Sequence, residues 1–182
     1  MIQDIQAVLT KQGIDGWLLY DFRGSNEHAS ALLKITQEAH LTRRFFYFIP
    51  KSGVPIKIVH QIEPTALDHL EGEKRTYFRW EDLKKVLGEV LKGKKQVAME
   101  YSPMGAIPTL SAIDAGTMEL VTSFGVKVVS SGAFLQEFTC TLSQAELDSH
   151  RAEHFAVDGE GWRELHEHRS GVLRFNGASQ AG

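Results

Sequence analysis

Apolar and polar positions along the chain alternate in blocks that predict a succession of helices and strands. Ile2, Ile5, Val8 and Leu9 recur at helical spacing, so residues 2–12 read as an amphipathic helix, with Gly13 placed as its C-cap. Trp17–Tyr20 is an unbroken apolar run without Gly or Pro, the pattern of a central strand covered on both faces. The polar loop Asp21–Asn26 follows at its carboxyl end. Ser25 or Asn26 is placed to cap a second helix through Leu33, and residues 34–42 are polar and irregular. Arg43–Pro50 and Pro55–His60 flank the turn signal Lys51-Ser52-Gly53 and predict a β-hairpin. In the first of these strands, Phe45–Phe48 should face the two layers alternately.

Beyond the hairpin the pattern predicts a short helix over Glu63–Leu70, with Pro64 in its first turn, and a strand over Arg75–Phe78. A helix over Trp80–Leu91 buries Leu83, Val86, Leu87, Val90 and Leu91 on one face and stops at Gly93. Gln96–Tyr101 reads as a buried strand, Pro103–Ile107 as a loop, Ser111–Phe124 as a helix, and Val126–Ser130 as the last strand. A short helix covers Phe134–Phe138. Ser143 with Glu146 forms a capping box that opens a helix running to about Val157. An early antiparallel pair followed by β–α alternation gives an α/β fold, a mixed sheet with helices on its faces.

The domain reading is 1–142 for this α/β domain and 143–157 for a linking helix. Residues 158–182 are rich in Gly, Arg, His, Glu and Ser and read as a poorly ordered tail. The 182 residues suit one domain with a terminal extension. With 42% hydrophobic and 24% charged residues, the balance is that of an ordinary soluble protein. A net charge of −3 and a pI near 6.2 give no electrostatic footprint for nucleic acid or an anionic membrane. No segment reaches the ~20 apolar residues of a membrane span. Met1–Lys11 carries Asp4 and lacks the apolar run of a signal peptide. The single cysteine, Cys140, cannot form an internal disulfide, which with the other features predicts a cytoplasmic protein.

Candidate chemistry is sparse. His150 and His154 stand four apart on the linking helix, a spacing at which two imidazoles share a metal. The zinc-protease pattern needs Glu after the first His, and Arg151 is there instead. A solvated helix is the plainer reading. Asp21 and Glu100 both end central strands, and a carboxylate pair there is the weaker case for a small magnesium-dependent hydrolase. Cys140 has no neighbouring base, and no phosphate-binding glycine loop is present. Arg43-Arg44 could clamp a carboxylate or simply be solvated.

Several stretches, taken in order, resemble a known family. They are DGWLLYDFRGSN, LTRRFFYFIPKSGVPIKIVH, VAMEYSPMGAIPTLSAIDAGTMELVTSFGVKVVSS, FLQEF and LSQAELDSHRAEH, which together span roughly Gly13 to Phe155. The chain resembles the N-terminal domain of the creatinase/prolidase/aminopeptidase P family of Xaa-Pro peptidases. The resemblance implies a mixed sheet with a ribonuclease-H-like core. It also implies a separate C-terminal "pita-bread" domain holding two manganese or cobalt ions on Asp, His and Glu ligands. None of those ligands can be placed in this chain, so the chain itself is expected to hold no cofactor and to be inactive alone. Residues 158–182 do not resemble the start of that domain, as in a truncated or frameshifted chain.

In such enzymes the N-terminal domain helps build oligomers, and its loops approach an active-site mouth. The resemblance therefore implies a homo-oligomer, in the first instance a dimer, and a substrate-access loop around Asp21, Arg23, Ser25 and Asn26, with Arg43 and Arg44 beside it. A proline-containing peptide would be the substrate only where a catalytic domain is present. Glu27-His28 stands where the family resemblance calls for a proline-containing loop. A stand-alone homodimeric interaction module is the alternative function.

Overall fold

The computed structural model describes residues 1–36 and 39–139, all within one compact unit spanning Met1–Cys140. The expectations for the helix at 143–157, the tail at 158–182, Cys140, His150 and His154 lie outside the described residues.

The chain opens with helix α1 (Ile2–Gln12), which ends at Gly13 with φ 69°. Only glycine takes that left-handed turn without a Cβ penalty. Strand β1 (Gly16–Asp21) is buried at every position. Helix α2 (Glu27–Leu32) follows, then the antiparallel pair β2 (Phe45–Pro50) and β3 (Ile56–His60). Strand β4 (Glu73–Tyr77) leads to helix α3 (Trp80–Leu91). Strand β5 (Gln96–Met99), helix α4 (Ala115–Thr122), strand β6 (Lys127–Ser130) and helix α5 (Gly132–Thr139) complete the domain.

The six strands form one sheet in the order β4-β3-β2-β1-β5-β6. Pairing is antiparallel on both sides of β2 and parallel elsewhere, so five strands point one way and β2 alone runs back. Period-two alternation divides the apolar residues between two layers. Trp17, Leu19, Phe45, Tyr47 and Ile49 pack with α1, α2 and α5. Leu18, Tyr20, Phe46 and Phe48 pack with α3 and α4 on the opposite face. The alternation expected of Phe45–Phe48 is thus observed, and the mixed sheet flanked by helices is the expected fold.

Several elements depart from the sequence reading: β4 starts two residues early at Glu73, β5 stops two residues early at Met99, and α5 runs over Gly132–Thr139 instead of Phe134–Phe138. Residues Glu63–Leu70 form successive turns rather than a helix, closed by bonds such as Ala66 N–H to Glu63 O at 3.2 Å. Tertiary partners draw this segment out of helical register. The Glu63 carboxylate is engaged by Thr42 and Arg43, and the Leu70 carbonyl accepts from Lys57 Nζ at 2.8 Å. Helix α4 begins only at Ala115. Ser111 and Ala112 are bound back to the end of β5, through Ser102 N–H to Ser111 Oγ and Ala112 N–H to Glu100 O. Asp114 then caps the helix by accepting from Thr117 N–H at 2.8 Å. Strand β2 begins at Phe45, leaving Arg43 and Arg44 in the loop before it.

Candidate functional site

The carboxyl ends of the five co-directional strands share one edge of the sheet, where loops of α/β proteins present ligand-facing groups. The loop after β1 is shaped by the strand's last residue. Asp21 is buried, and its Oδ2 accepts from Gly24 N–H at 2.9 Å while Oδ1 accepts from Asn26 N–H at 2.7 Å. The turn this closes places Arg23 at φ 59° and Gly24 at φ 76°. Asp and Asn favour such local loops because a short side chain can stand in for a backbone acceptor.

Asn26 is the hub. Its Oδ1 caps α2 by accepting from Ala29 N–H at 3.0 Å. Its Nδ2 donates to Tyr20 O at 2.7 Å and to Glu100 Oε2 at 2.9 Å. Glu100 has no exposed surface. Its Oε1 accepts from Trp17 Nε1 and from Ser131 Oγ, the latter at 3.3 Å. One carboxyl group therefore joins β1, the loop before α2, the end of β5 and the residue before α5. Burial raises its pKa, the hydrogen bonds from Trp17, Asn26 and Ser131 oppose that rise, and the net position is about 7.

The expected site residues are distributed as follows. Asp21 and Glu100 are linked through Asn26, whose backbone N–H donates to Asp21 Oδ1 and whose Nδ2 donates to Glu100 Oε2. The three form a buried scaffold. A cation would have to reach a carboxylate with no exposed surface and displace the Asn26 amide, so the geometry does not favour the magnesium-dependent reading. Among the described residues no three His, Cys, Asp or Glu side chains are grouped to hold a metal ion.

Arg23 lines an open cleft of about 560 Å³ with Asp21, Glu27, Ser30 and His40. Ser25 lines a second cleft of about 440 Å³ with Tyr20, Phe22, Ile113 and Asp114. Arg43 is fixed through its backbone, whose N–H donates to Glu63 Oε2 at 3.1 Å. Arg44 lies with its guanidinium carbon 5.9 Å from the centroid of Phe22 and 5.3 Å from that of Trp80. His28, of the Glu27-His28 pair that stands where the resemblance calls for a proline-containing loop, uses Nε2 to donate to Thr109 O at 2.7 Å and so ties α2 to the loop after β5.

Sequence reasoning missed Trp17 and Ser131 as partners of Glu100, and Phe22 and Trp80 as partners of Arg44. A signal for the first was present. A buried indole needs an acceptor for its N–H, and Glu100 is the acidic residue ending the neighbouring apolar run.

No family profile and no curated protein matches the sequence. Solved structures do match by shape. The creatinase/prolidase N-terminal domain of an X-Pro dipeptidase from Streptococcus pyogenes superposes with a TM-score of 0.56 at 14% identity, covering 75% of this chain and 96% of that one. The prolidase from Pyrococcus horikoshii gives 0.57 at 13% identity, covering 81% of this chain and 37% of the enzyme. A dipeptidase from Mycobacterium ulcerans gives 0.60 at 15% identity, with 81% and 38% covered. The described domain thus has the fold of creatinase/prolidase N-terminal domains. The chain spans nearly all of the isolated domain and well under half of the complete enzymes. Among the described residues no helix is long and apolar enough to cross a membrane.

Proposed function

We propose that this chain serves as the non-catalytic N-terminal domain of an Xaa-Pro peptidase-like protein, supporting assembly and access of substrate to an active site held elsewhere. The observation that carries this reading is the superposition on 96% of an isolated N-terminal domain with a TM-score of 0.56. The distribution of exposed apolar residues supports it. Eight large hydrophobic residues are exposed among the described ones, and six of them follow strand ends at the carboxyl edge. Phe22 follows β1, Ile62 follows β3, Phe78 and Trp80 follow β4, and Met104 and Ile107 follow β5. An apolar edge of this kind suits a second protein surface. The same edge carries four of the five arginines described, Arg23, Arg43, Arg44 and Arg79.

The purified full chain, given an Xaa-Pro dipeptide and manganese, is expected to show no turnover above buffer. Multiple-turnover cleavage at an enzyme-like rate would place the chemistry in this chain and overturn the reading. A homodimer built on the apolar edge alone, with no peptidase role, is the second reading.

A further inference from the structure

Arg44 has chemistry that the fold does not use. Among the described residues it enters no ion pair, and its guanidinium makes no hydrogen bond. Its contacts are with the rings of Phe22 and Trp80. Stacking on aromatic rings orients a guanidinium through its faces and leaves the planar fork of N–H donors for an acceptor.

The group is held in place from three directions. The Arg44 carbonyl accepts from Tyr77 Oη at 2.7 Å. Phe22 sits in the turn that Asp21 closes onto Gly24 and Asn26. Trp80 opens α3, whose start is fixed by Arg79 N–H donating to Asp82 Oδ2 at 2.9 Å. Both rings remain partly open to solvent, Phe22 at 40% and Trp80 at 46%. A cation oriented in advance, with no acid partner among the described residues and flanked by exposed rings, is arranged as a receptor for an anion that carries an apolar group.

We infer that Arg44, Phe22 and Trp80 form a binding site for a carboxylate attached to an apolar residue, such as the free carboxyl end of a peptide. A single guanidinium fork matches a monoanionic carboxylate in two parallel hydrogen bonds. The rings supply contact area for the neighbouring side chain. Site and test need only this chain, so the inference stands or falls apart from the peptidase reading.

The test titrates the full-length chain with N-acetyl-L-phenylalanine, and separately with its C-terminal amide, at constant ionic strength. Nitrogen-15 NMR follows the Trp80 indole and Arg44 Nε signals. The carboxylate should move both signals saturably. The amide should bind about tenfold more weakly or worse, because the charge-assisted bonds are lost. Arg44→Gln should abolish the response, and Arg44→Lys should weaken it while keeping the charge, with an unchanged amide spectrum elsewhere showing that each variant is folded. Equal binding of acid and amide would overturn the carboxylate assignment. Equal or tighter binding of inorganic phosphate would overturn the apolar half of the site. No saturable shift at Trp80 or Arg44 would overturn the whole inference.

Discussion

Asn26 donates through Nδ2 to Glu100 Oε2 at 2.9 Å, a bond between residues 74 positions apart that fastens the loop after β1 to the end of β5. The same amide caps α2 and holds the Tyr20 carbonyl. Position 26 therefore sets the carboxyl edge of the sheet. Asn26→Ala removes a helix cap and strips a donor from two buried acceptors, and should cost about 3 kcal/mol in urea unfolding. Asn26→Asp retains the cap but turns an oxygen toward Glu100, and should be at least as damaging. A cost within about 0.5 kcal/mol for both variants, the range of ordinary surface changes, would contradict this role.

Glu100 gives the fold a pH dependence with a definite sign. Its folded pKa of about 7 lies above the ordinary 4.5, so below 4.5 both folded and unfolded states hold the proton. As pH rises from 4.5 to 7 the unfolded state releases that proton first, and stability falls by on the order of 3 kcal/mol before levelling off. Unfolding free energies at pH 5, 6, 7 and 8 for the native chain and Glu100→Gln provide the check. The native chain should lose stability relative to the variant across that range. Parallel profiles would show that the carboxyl group is ionised throughout.

Asp15 has the opposite sign. Its Oδ1 accepts from Lys51 Nζ at 2.8 Å, and its Oδ2 accepts from the backbone N–H of Lys95 at 2.6 Å and of Gln96 at 3.2 Å. The Lys51 bond and then the backbone bonds hold its pKa at about 2, below the ordinary 3.8. Its stabilising contribution is present above 3.8 and is lost as pH falls toward 2. Asp15→Asn should lower stability at neutral pH by on the order of 1–2 kcal/mol. The gap should close in acid. A gap that persists at pH 2 would assign the loss to packing instead of charge.

Gly16 begins β1 against the Phe48 ring, where an added Cβ would lie 2.3 Å from the nearest ring carbon and 3.0 Å from the Ile49 carbonyl oxygen. The ring is buried on the sheet and cannot swing clear. Gly16→Ala should destabilise the domain by about 2 kcal/mol. Thermal unfolding reads the loss, and an unchanged midpoint would mean that the β1–β2 pair can spread at this end.

The layered fold was legible in the sequence because its strands are extreme. Trp17–Tyr20 and Phe45–Ile49 are apolar without interruption, as strands buried on both faces must be. Trp80–Leu91 was legible through its helical stripe and Gly93. Glu63–Leu70 was misread because helix propensity and a well-placed Pro64 say nothing of Lys57 and Thr42, which approach from distant parts of the chain. The start of α4 was misread for the same reason, since Ser111 is spent on Ser102. Of the site, the placing of Asp21 and Glu100 at the ends of two neighbouring strands, β1 and β5, was legible. That Asn26 would stand between them, and that Arg44 would settle on Phe22 and Trp80, depends on side-chain direction, which one-dimensional periodicity does not carry.

The proposed role in assembly is read most directly from the molar mass of the chain in solution. Light scattering on the purified full chain across a hundredfold concentration range should give about twice the 20.4 kDa chain mass. Met104→Ser with Ile107→Ser, in the loop after β5 and outside the Arg44 site, should shift it toward the monomer. A native chain that stays at the single-chain mass at the highest concentration would contradict the account.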